Sequence, residues 1–375
     1  MTLRVLYVNP GRDLGGAEQS LLLLLEALRA RDVDPTVALF GDGPFAARLS
    51  SLGIPTAYLK LPDAVRRTSR YGTSQDLAGT ARLAIGALPS VVRLSLLARR
   101  LHADIIHTNG LKAHLLGGLA GRLARRPVVW HLRDFPPAGV PGRLFRAAAR
   151  SLPALVFANS EAVAAAIRGA NVVRLYNPVD LRRFRPDRPG GGDGIRRELG
   201  VPDDAPLVGM VAHLTPWKGH EQFLRIALAL ADAVPGIRFL VAGGAIYETE
   251  GHSGYADSLK RRAVDLGLGG RVAFLGARDD VPDILAATDV LVHCPTAPEP
   301  FGRVLAEAMA AGRPVVAARA GGIPEIVEHE VTGLLVATGD VHRFAAAVLR
   351  LLADPGLRGR LGDAARRRAE SLFAP

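Results

Sequence analysis

Cysteine is almost absent from this sequence of 375 residues, and its scarcity excludes an internal disulfide. Only Cys294 is present, so no two cysteines of the chain can pair. A chain without disulfides is typical of a reducing compartment such as the cytoplasm. Aromatic residues make up only 5% of the chain and form no regular stripe. We therefore expect no stacking surface for nucleic acid.

Long apolar runs are also missing. Leu21–Leu25 is among the longest, whereas about 20 residues are needed to span a bilayer. The N-terminus, MTLRVLYVNP, has the pattern of a buried strand rather than of a signal peptide. We therefore expect a cytoplasmic protein that does not cross a membrane, and peripheral association with its inner face stays open.

The charge balance is basic: 47 Lys and Arg against 36 Asp and Glu give a net charge of +11. This favours anionic partners such as nucleotides or acidic membranes, although arginine on solvated faces accounts for it equally well. Residues 60–101 contain RRTSR and two amphipathic stretches separated by Pro89. An ordinary helix packed on a sheet is the favoured interpretation of this segment, and a basic, apolar, membrane-facing element is the alternative.

Short apolar runs alternate with helical patterns in both halves of the chain, which predicts parallel sheets covered on both faces. The fold class is therefore α/β, with two Rossmann-like doubly wound domains, residues 1–180 and 181–375. Residues 177–206 have linker composition, and Gly190–Gly194 is predicted to be a mobile surface loop. The predicted strands are Leu3–Val8, Thr36–Phe40, Ile105–His107, Val128–Leu132, Leu155–Ala158, Val172–Leu175, Leu207–Ala212, Arg238–Ala242, Val272–Leu275, Val290–His293, Pro314–Ala317 and Leu334–Ala337.

Two motifs follow the first strand of each half. Gly15-Gly16-Ala17-Glu18 precedes a helix expected near Gln19, where free N–H groups favour phosphate, although a sharp turn alone also accounts for the glycines. Lys218-Gly219 lies where a loop enters a helix in the second half. A lysine at that point can neutralise a diphosphate leaving group.

The strongest motif is Glu299-Pro-Phe-Gly-Arg-Val-Leu-Ala-Glu307, two carboxylates that flank a loop-to-helix junction. Carboxylates accept hydrogen bonds from sugar hydroxyls. The N–H groups of Arg303, Val304 and Leu305 are expected to be free at the helix start and able to bind phosphate. Capping and solvation would not explain why an alanine-rich helix carries Glu307.

Signals for a metal site are weak. Asp279, Asp280 and Asp283 are interpreted as a loop and helix cap, and no strand ends in a DxD sequence. The ten histidines form no HExxH motif. We therefore expect neither a metal nor another cofactor. Gly321-Gly322-Ile-Pro-Glu325 and Thr332-Gly333 are turn sequences.

Taken together, GGAE, TPWKG, FLG, EPFGRVLAEAMAAGRPVVA and GGIPEIVEHEVTGLLV occur in an order that resembles the retaining GT-B glycosyltransferases of family 4. The resemblance covers nearly the whole chain and is densest between residues 207 and 340. It implies two domains that face each other across a cleft, with the nucleotide-sugar donor held mainly by the second domain. It also implies transfer with retention of anomeric configuration and without a metal.

The resemblance implies a role for particular residues. Lys218 would contact the donor diphosphate, Glu307 the ribose and Glu299 the transferred sugar. In the first domain, Gly15 and Gly16 would approach the phosphates, and His131 the sugar or acceptor. Backbone contacts to sugar and phosphate are implied for Phe301, Gly302, Arg303, Val304 and Leu305, and contacts to the base for Gly276, Ala277 and Arg278.

The sequence departs from the family pattern in two places. The family usually has an arginine shortly before the lysine, where this chain has His213, so His213 or Arg303 would have to take its place. An exposed Arg303 is the favoured expectation. The family also continues into a helix that crosses back to the first domain, and the sequence ends at Pro375 before such a helix.

The sequence therefore predicts transfer of a sugar from a nucleotide-diphosphate sugar to a glycan, lipid-linked or small-molecule acceptor. The alternatives are a non-catalytic partner subunit, which His213 would favour, and a nucleotide-sugar epimerase or phosphorylase on the same fold. A dehydrogenase is disfavoured because GxGxxG is missing after the first strand. The sequence identifies neither the sugar, the base nor the acceptor.

Overall fold

The computed structural model describes residues 2–62, 77–188, 190–244 and 254–375, with side chains from residue 85 onward in the helix Leu77–Arg100. Two compact units make up the chain, Met1–Asn177 and Pro178–Pro375. The sequence predicts the join near residue 180. Each unit has its own core.

The first unit contains one parallel sheet, because continuous apolar runs such as Leu6–Val8 bury both faces of their strands. Its strands are β1 Leu3–Asn9, β2 Val33–Leu39, β3 Thr56–Tyr58, β4 Ile105–Asn109, β5 Val128–Leu132, β6 Leu155–Ala158 and β7 Val172–Arg174. They pair in the order β3-β2-β1-β4-β5-β6-β7.

Helices cover both faces of this sheet and form two apolar clusters with it. One cluster is built around Trp130 and Phe145, and the other around Tyr7 and Phe45. The described helices are Gly16–Leu28, Pro44–Ser51, Leu77–Arg100, Leu111–Ala124, Gly139–Ser151 and Glu161–Ala165.

The second unit repeats this architecture with a six-stranded parallel sheet. Its strands are β8 Leu207–Val211, β9 Arg238–Ala242, β10 Val272–Gly276, β11 Val290–His293, β12 Val315–Ala318 and β13 Leu334–Val336, paired in the order β10-β9-β8-β11-β12-β13. Its described helices are Asp193–Glu198, His220–Ala233, Tyr255–Asp265, Val281–Ala287, Arg303–Ala310, Ile323–Ile326, Val341–Ala353 and Pro355–Leu372, together with the 3₁₀ turn Pro216–Lys218.

The predicted strands all occur, with ends that differ by a few residues, and the doubly wound parallel architecture is confirmed in each unit. Sequence analysis missed β3. This strand has only three residues, pairs on one side with β2 and leaves Tyr58 56% exposed. It therefore lacks the continuous apolar run by which buried strands are recognised.

The prediction of a mobile loop at Gly190–Gly194 is wrong at its second half, because Asp193 begins a helix. Gly192 precedes it with a positive φ of 98°, and a Cβ there would lie 2.6 Å from the backbone nitrogen of Ala287. Ile195 is buried, and Arg196 pairs with Asp289 at 2.8 Å. This part of the linker sequence therefore packs into the second unit.

The segment 60–101 is described only in part. RRTSR lies outside the described residues, as does the side chain of Arg82. The second amphipathic stretch belongs to the helix Leu77–Arg100, which contains Pro89 and buries Val91, Leu94 and Ala98 in the core. The favoured expectation of a helix packed on the sheet holds for this part. No helix among the described residues has the length and apolar character needed to cross a membrane.

Candidate active site

Each sheet has a point where the strand order reverses, between β1 and β4 in the first unit and between β8 and β11 in the second. Loops that leave the carboxyl ends of two such strands diverge and open a crevice, which is the usual ligand site of a doubly wound sheet. The loop after β8 carries Lys218, and the loop after β11 carries Glu299. Two predicted site residues therefore lie at the reversal point of the second sheet.

Lys218 ends the short turn Pro216–Lys218, and Gly219 then begins the helix His220–Ala233. Gly219 has a φ of 84°, and a Cβ there would lie 1.9 Å from the carbonyl oxygen of Cys294. Only glycine fits this position. The glycine thus brings the lysine loop against the end of β11.

Glu299 is a buried carboxylate that contacts two nitrogen groups, the ammonium of Lys218 and the imidazole of His293. Lys218 Nζ lies 2.6 Å from Glu299 Oε2, and His293 Nε2 lies 3.3 Å from the same oxygen. Burial opposes ionisation, yet the Lys218 ammonium and His293 hold the pKa of Glu299 down to about 2. Burial lowers the pKa of His293, so the histidine is neutral. Glu299 is therefore ionised at neutral pH and can accept hydrogen bonds from sugar hydroxyls.

The turn Gly321-Gly322 supports the backbone of Glu299. The Gly322 N–H donates to the Glu299 carbonyl at 2.8 Å, and a Cβ on Gly321 would lie 2.1 Å from that oxygen. Gly321 also has a positive φ of 61°. The two glycines, which sequence analysis assigned to a turn, therefore fix the position of the carboxylate.

Glu307 lies on the helix Arg303–Ala310 and pairs with Arg303 one turn earlier, at 2.7 Å. Burial raises the pKa of Glu307, with Arg303 and Arg183 opposing. The expectation of an exposed Arg303 is wrong, because its side chain is 15% exposed and directed to Glu307.

The start of this helix differs from the prediction in one hydrogen bond. Gly302 precedes the helix with a φ of 89°, and the Leu305 N–H donates to its carbonyl at 2.9 Å. The prediction of free N–H groups at the helix start is therefore wrong for Leu305, whose N–H forms the hydrogen bond of the first turn. Phe301 is 2% exposed and meets Phe373 edge to face, so its side chain anchors the loop. Val304 begins the helix beside Arg303.

His213 follows β8, where the family usually has arginine. Burial lowers the pKa of His213 to about 4, and Lys218 adds to the effect. The side chain is therefore neutral at physiological pH and does not replace the positive charge of an arginine.

Gly276 is the last residue of β10, and Ala277 and Arg278 follow it. Gly276 has a φ of 67°, and its carbonyl accepts from the Gly243 N–H at 2.8 Å. Arg278 forms ion pairs with Asp280 at 2.6 Å and Glu198 at 2.7 Å, and these contacts raise its pKa. The side chain of Arg278 is thus held by carboxylates, which leaves main-chain groups for the predicted contact to a base.

Gly15 ends the loop that follows β1, and the helix begins at Gly16, three residues before the predicted Gln19. Gly15 has φ −80° and ψ −179°, a conformation that any residue adopts. Its conformation therefore does not require glycine.

Sequence analysis missed a buried polar network at the reversal point of the first sheet. Asn9 ends β1 and Asn109 ends β4, and Asn109 Nδ2 donates to Asn9 Oδ1 at 2.6 Å. Arg133 Nε donates to Asn109 Oδ1 at 2.7 Å, and Arg133 Nη1 donates to Asn177. The available signal was an asparagine at the end of each of two strands, but the pairing depends on the strand order.

Glu18 extends this network into the first turn of the helix Gly16–Leu28. Asn9 Nδ2 donates to Glu18 Oε1 at 3.2 Å. Burial raises the pKa of Glu18, while Asn9 and Arg133 oppose the rise. A Cβ on Gly11 would lie 2.2 Å from Glu18 Oε1, so the loop after β1 closes tightly over the carboxyl group.

His131 lies near the end of β5, opposite Asn109 in the sheet register, and is 2% exposed. Burial, with Arg133 adding to it, lowers the pKa of His131 well below 6.5. Its Nδ1 lies 3.3 Å from Arg133 Nη2. Because arginine only donates, Nδ1 is the acceptor, and the ring proton is on Nε2. Within the described part of the chain, Nε2 has no hydrogen-bond partner.

The described residues contain no group of three His, Cys, Asp or Glu side chains that could hold a metal ion. Asp280 lies at the start of the helix Val281–Ala287, but its carboxylate pairs with Arg278 rather than capping a backbone N–H. Asp283 pairs with Arg188. The interpretation of Asp280 as a helix cap is therefore correct for its position at the helix start. It is wrong for the capping hydrogen bond, which the side chain does not make.

Comparison with protein families gives two adjacent matches. Residues 14–183 match the family described as "Glycosyltransferase Family 4", and residues 193–368 match "Glycosyl transferases group 1". Among curated proteins, the D-inositol 3-phosphate glycosyltransferase of Saccharomonospora viridis is 40% identical over 209 residues, which are 53% of this chain and 46% of the relative. The Mycobacterium tuberculosis protein of the same name is 38% identical over 218 residues, 56% of this chain and 42% of the relative. The chain thus spans about half the length of the curated relatives it matches.

Solved structures match over nearly the full length. Anabaena Alr3699/HepE, crystallised with UDP and glucose, is 32% identical with a TM-score of 0.84, covering 99% of this chain and 96% of that one. A glycosyltransferase of Rickettsia africae has a TM-score of 0.82 at 19% identity, which bears on the fold alone. The GT-B fold class expected from the sequence is confirmed. The chain belongs to the GT-B glycosyltransferases of family 4 type.

Proposed function

We propose that this chain transfers a sugar from a uridine-diphosphate sugar to a hydroxyl of an acceptor, with retention of configuration and without a metal. The observation that supports this most directly is the buried pair of Lys218 and Glu299 at the reversal point of the second sheet. The choice of uridine rests on the Anabaena relative, whose structures contain UDP or UDP-glucose.

In this proposal Lys218 stabilises the departing diphosphate. A compact ammonium next to the N-terminal end of a helix places positive charge where negative charge develops. Before the donor binds, Glu299 neutralises the lysine at 2.6 Å. The diphosphate then shares the ammonium with Glu299, whose oxygens accept hydrogen bonds from the sugar. Glu307, oriented by Arg303, binds the ribose hydroxyls.

Retention is proposed to follow from attack on the same face as the leaving group. His131, as a neutral imidazole with its proton on Nε2, donates a hydrogen bond to a hydroxyl of the sugar or acceptor and carries no charge into the site. The stereochemistry of the product, read by NMR of the anomeric proton, tests this step. An inverted product would contradict it.

Donor binding is the first experiment. Uridine, guanosine, adenosine and thymidine diphosphates are titrated by calorimetry in the presence of a chelator. We expect UDP to bind selectively and its affinity to fall at least about tenfold in Glu307→Ala, since a hydrogen bond to a charged group contributes about 1.5–3 kcal/mol. Failure of all four diphosphates to bind would contradict the proposal, and binding that requires a divalent ion would contradict its metal-free form.

Glu370→Ala is the matched control. Arg366 and Glu370 repeat the spacing of Arg303 and Glu307 on another helix, with a contact of 2.6 Å. Glu370 is 48% exposed. Equal loss of UDP affinity in both variants would indicate a general structural effect.

The acceptor and the location are proposed together. We place the protein in the cytoplasm at the inner face of a membrane, with a lipid-linked or cell-envelope glycan as acceptor. The support is the net charge of +11 and the arginine-rich helices of the first unit. Transfer of radiolabelled sugar from the donor to a membrane lipid extract tests this, and label found only in free sugar would contradict it.

A further inference from the structure

Three neighbouring helices of the first unit, Leu77–Arg100, Leu111–Ala124 and Gly139–Ser151, expose leucine and related side chains to solvent. On the second helix, Leu115, Leu119 and Leu123 are 39%, 44% and 49% exposed. The stripe continues on the other two helices, where Ile85, Leu88, Val92, Leu96 and Leu144 are 47–67% exposed.

On the first two helices these side chains recur every three or four residues and therefore form one face of each helix, whereas Leu144 is a single exposed leucine on the third. The first two helices pack on each other, and Arg99 Nη2 donates to the carbonyl of Leu123 between them. Arg122 joins the second helix to the third through the carbonyl of Ser151. The exposed apolar side chains thus lie on three helices joined by these contacts, and we call the surface they form the leucine face. Clustered exposed apolar side chains, unlike single scattered ones, mark interaction sites.

The charged residues in the sequences of these three helices have a single sign. The sequences of the three helices contain no aspartate or glutamate. They contain nine cationic residues, namely Arg82, Arg93, Arg99, Arg100, Lys112, Arg122, Arg143, Arg146 and Arg150. Arg99 and Arg122 follow Leu96 and Leu119 by three residues and so lie on the same face as the leucines.

We propose that the leucine face docks this protein onto an anionic lipid bilayer, with the leucines among the acyl chains and the arginines at the headgroups. Apolar burial combined with attraction of basic side chains to anionic lipid is the energetic basis of interfacial binding. A second copy of the chain fits poorly, because a symmetric contact would bring arginine against arginine. This inference rests on the proposed membrane location and assigns it to a surface.

The docked face adjoins the first-unit site. Leu115 lies one turn into a helix that begins two residues after Asn109, at the carboxyl edge of the sheet. An amphiphilic acceptor held in the bilayer would therefore present its polar end next to Asn109.

The test uses the full chain and vesicles of phosphatidylcholine with or without phosphatidylglycerol. We expect cosedimentation with the anionic vesicles only, weakening as salt is raised. The double variant Leu119→Glu/Leu123→Glu is expected to reduce the partition coefficient at least about tenfold. Val264→Glu, at a valine 67% exposed on the second unit, is the matched control and should bind as the unaltered protein does.

Leu96→Glu on the neighbouring helix repeats the test if the double variant unfolds by circular dichroism. Absence of binding by the unaltered protein, or equal binding by the variants, would overturn the proposal. A dimer that the variants dissociate without changing vesicle binding would instead assign the face to self-association. UDP affinity is measured on each protein, so failure of the donor proposal is recognised separately from failure of the docking proposal.

Discussion

At the scale of single residues, burial decides the charge of the site groups. Glu299 is kept ionised by Lys218, whereas His131, His213 and His293 are kept neutral by burial. The second unit therefore presents an ion pair, and the first presents uncharged donors around Arg133.

The ion pair gives a pH dependence of stability that can be measured. Glu299 has a folded pKa of about 2 against an ordinary 4.5, so it stabilises the fold above pH 4.5 and loses this contribution as the pH falls toward 2. The difference corresponds to roughly 3 kcal/mol. We expect the free energy of unfolding of the unaltered protein to approach that of Glu299→Gln between pH 5 and pH 3 in urea titrations. A constant difference, or one matched by the exposed control Glu370→Gln, would contradict this assignment.

Arg133 is expected to set the tautomer of His131. Nitrogen-15 NMR of the histidine rings should show His131 protonated at Nε2 alone and not titrating between pH 5 and pH 8. In Arg133→Met the pKa of His131 should rise but stay below 6.5, because burial, the largest cause of the lowering, remains while the opposing arginine charge is removed. Arg143→Met, at an exposed arginine, should leave the His131 signals unchanged. A His131 signal that titrates near pH 6.5 in the unaltered protein would refute the assignment.

At the scale of elements, the sheet topology brings distant loops together. Gly321 shows that this contact between loops requires glycine. A side chain there would be strained by the positive φ and would also clash with the backbone of Glu299. Gly339 has a similar φ of 86° with nothing within 4 Å of its Cβ position. Substitution of Gly339 therefore measures the cost of backbone strain alone, and substitution of Gly321 measures strain together with steric crowding.

We expect Gly339→Ala to cost about 1–2 kcal/mol in urea unfolding, the cost of the left-handed conformation. Gly321→Ala should cost distinctly more and should also weaken UDP binding, since the Glu299 backbone must move. Equal costs in the two variants, with UDP affinity unchanged, would show that the turn does not position Glu299.

For strands and loops, part of the structure could be predicted from the sequence and part could not. Continuous apolar runs identified the long strands, and the glycines and carboxylates after β8 and β11 led to the donor site proposed above. The network of Asn9, Asn109 and Arg133 was missed because its hydrogen bonds join residues as far as 100 positions apart. Only the strand order brings these residues together, and no local pattern encodes that order. β3 was missed because three partly exposed residues carry no periodicity.

At the scale of the whole molecule, each unit has its own sheet and core, so the two need not unfold together. We expect calorimetric scans to resolve two transitions. UDP at about 100 times its dissociation constant should stabilise the unit containing Lys218 and Glu307 by about 2.7 kcal/mol. Hydrogen exchange identifies which amides are protected, and protection confined to the first unit would contradict the assignment of the donor site.

The two sheets carry different polar groups at the point where the strand order reverses. The first unit has asparagine amides and one arginine there, and the second has an ion pair. These side chains follow strands or end them, and the apolar cores beneath them belong to separate units. Each set of polar residues therefore lies above a core that belongs to its own unit. Under the proposed function, a lineage with this architecture can over evolutionary time acquire new acceptors by drift in one half while inheriting its donor unchanged in the other.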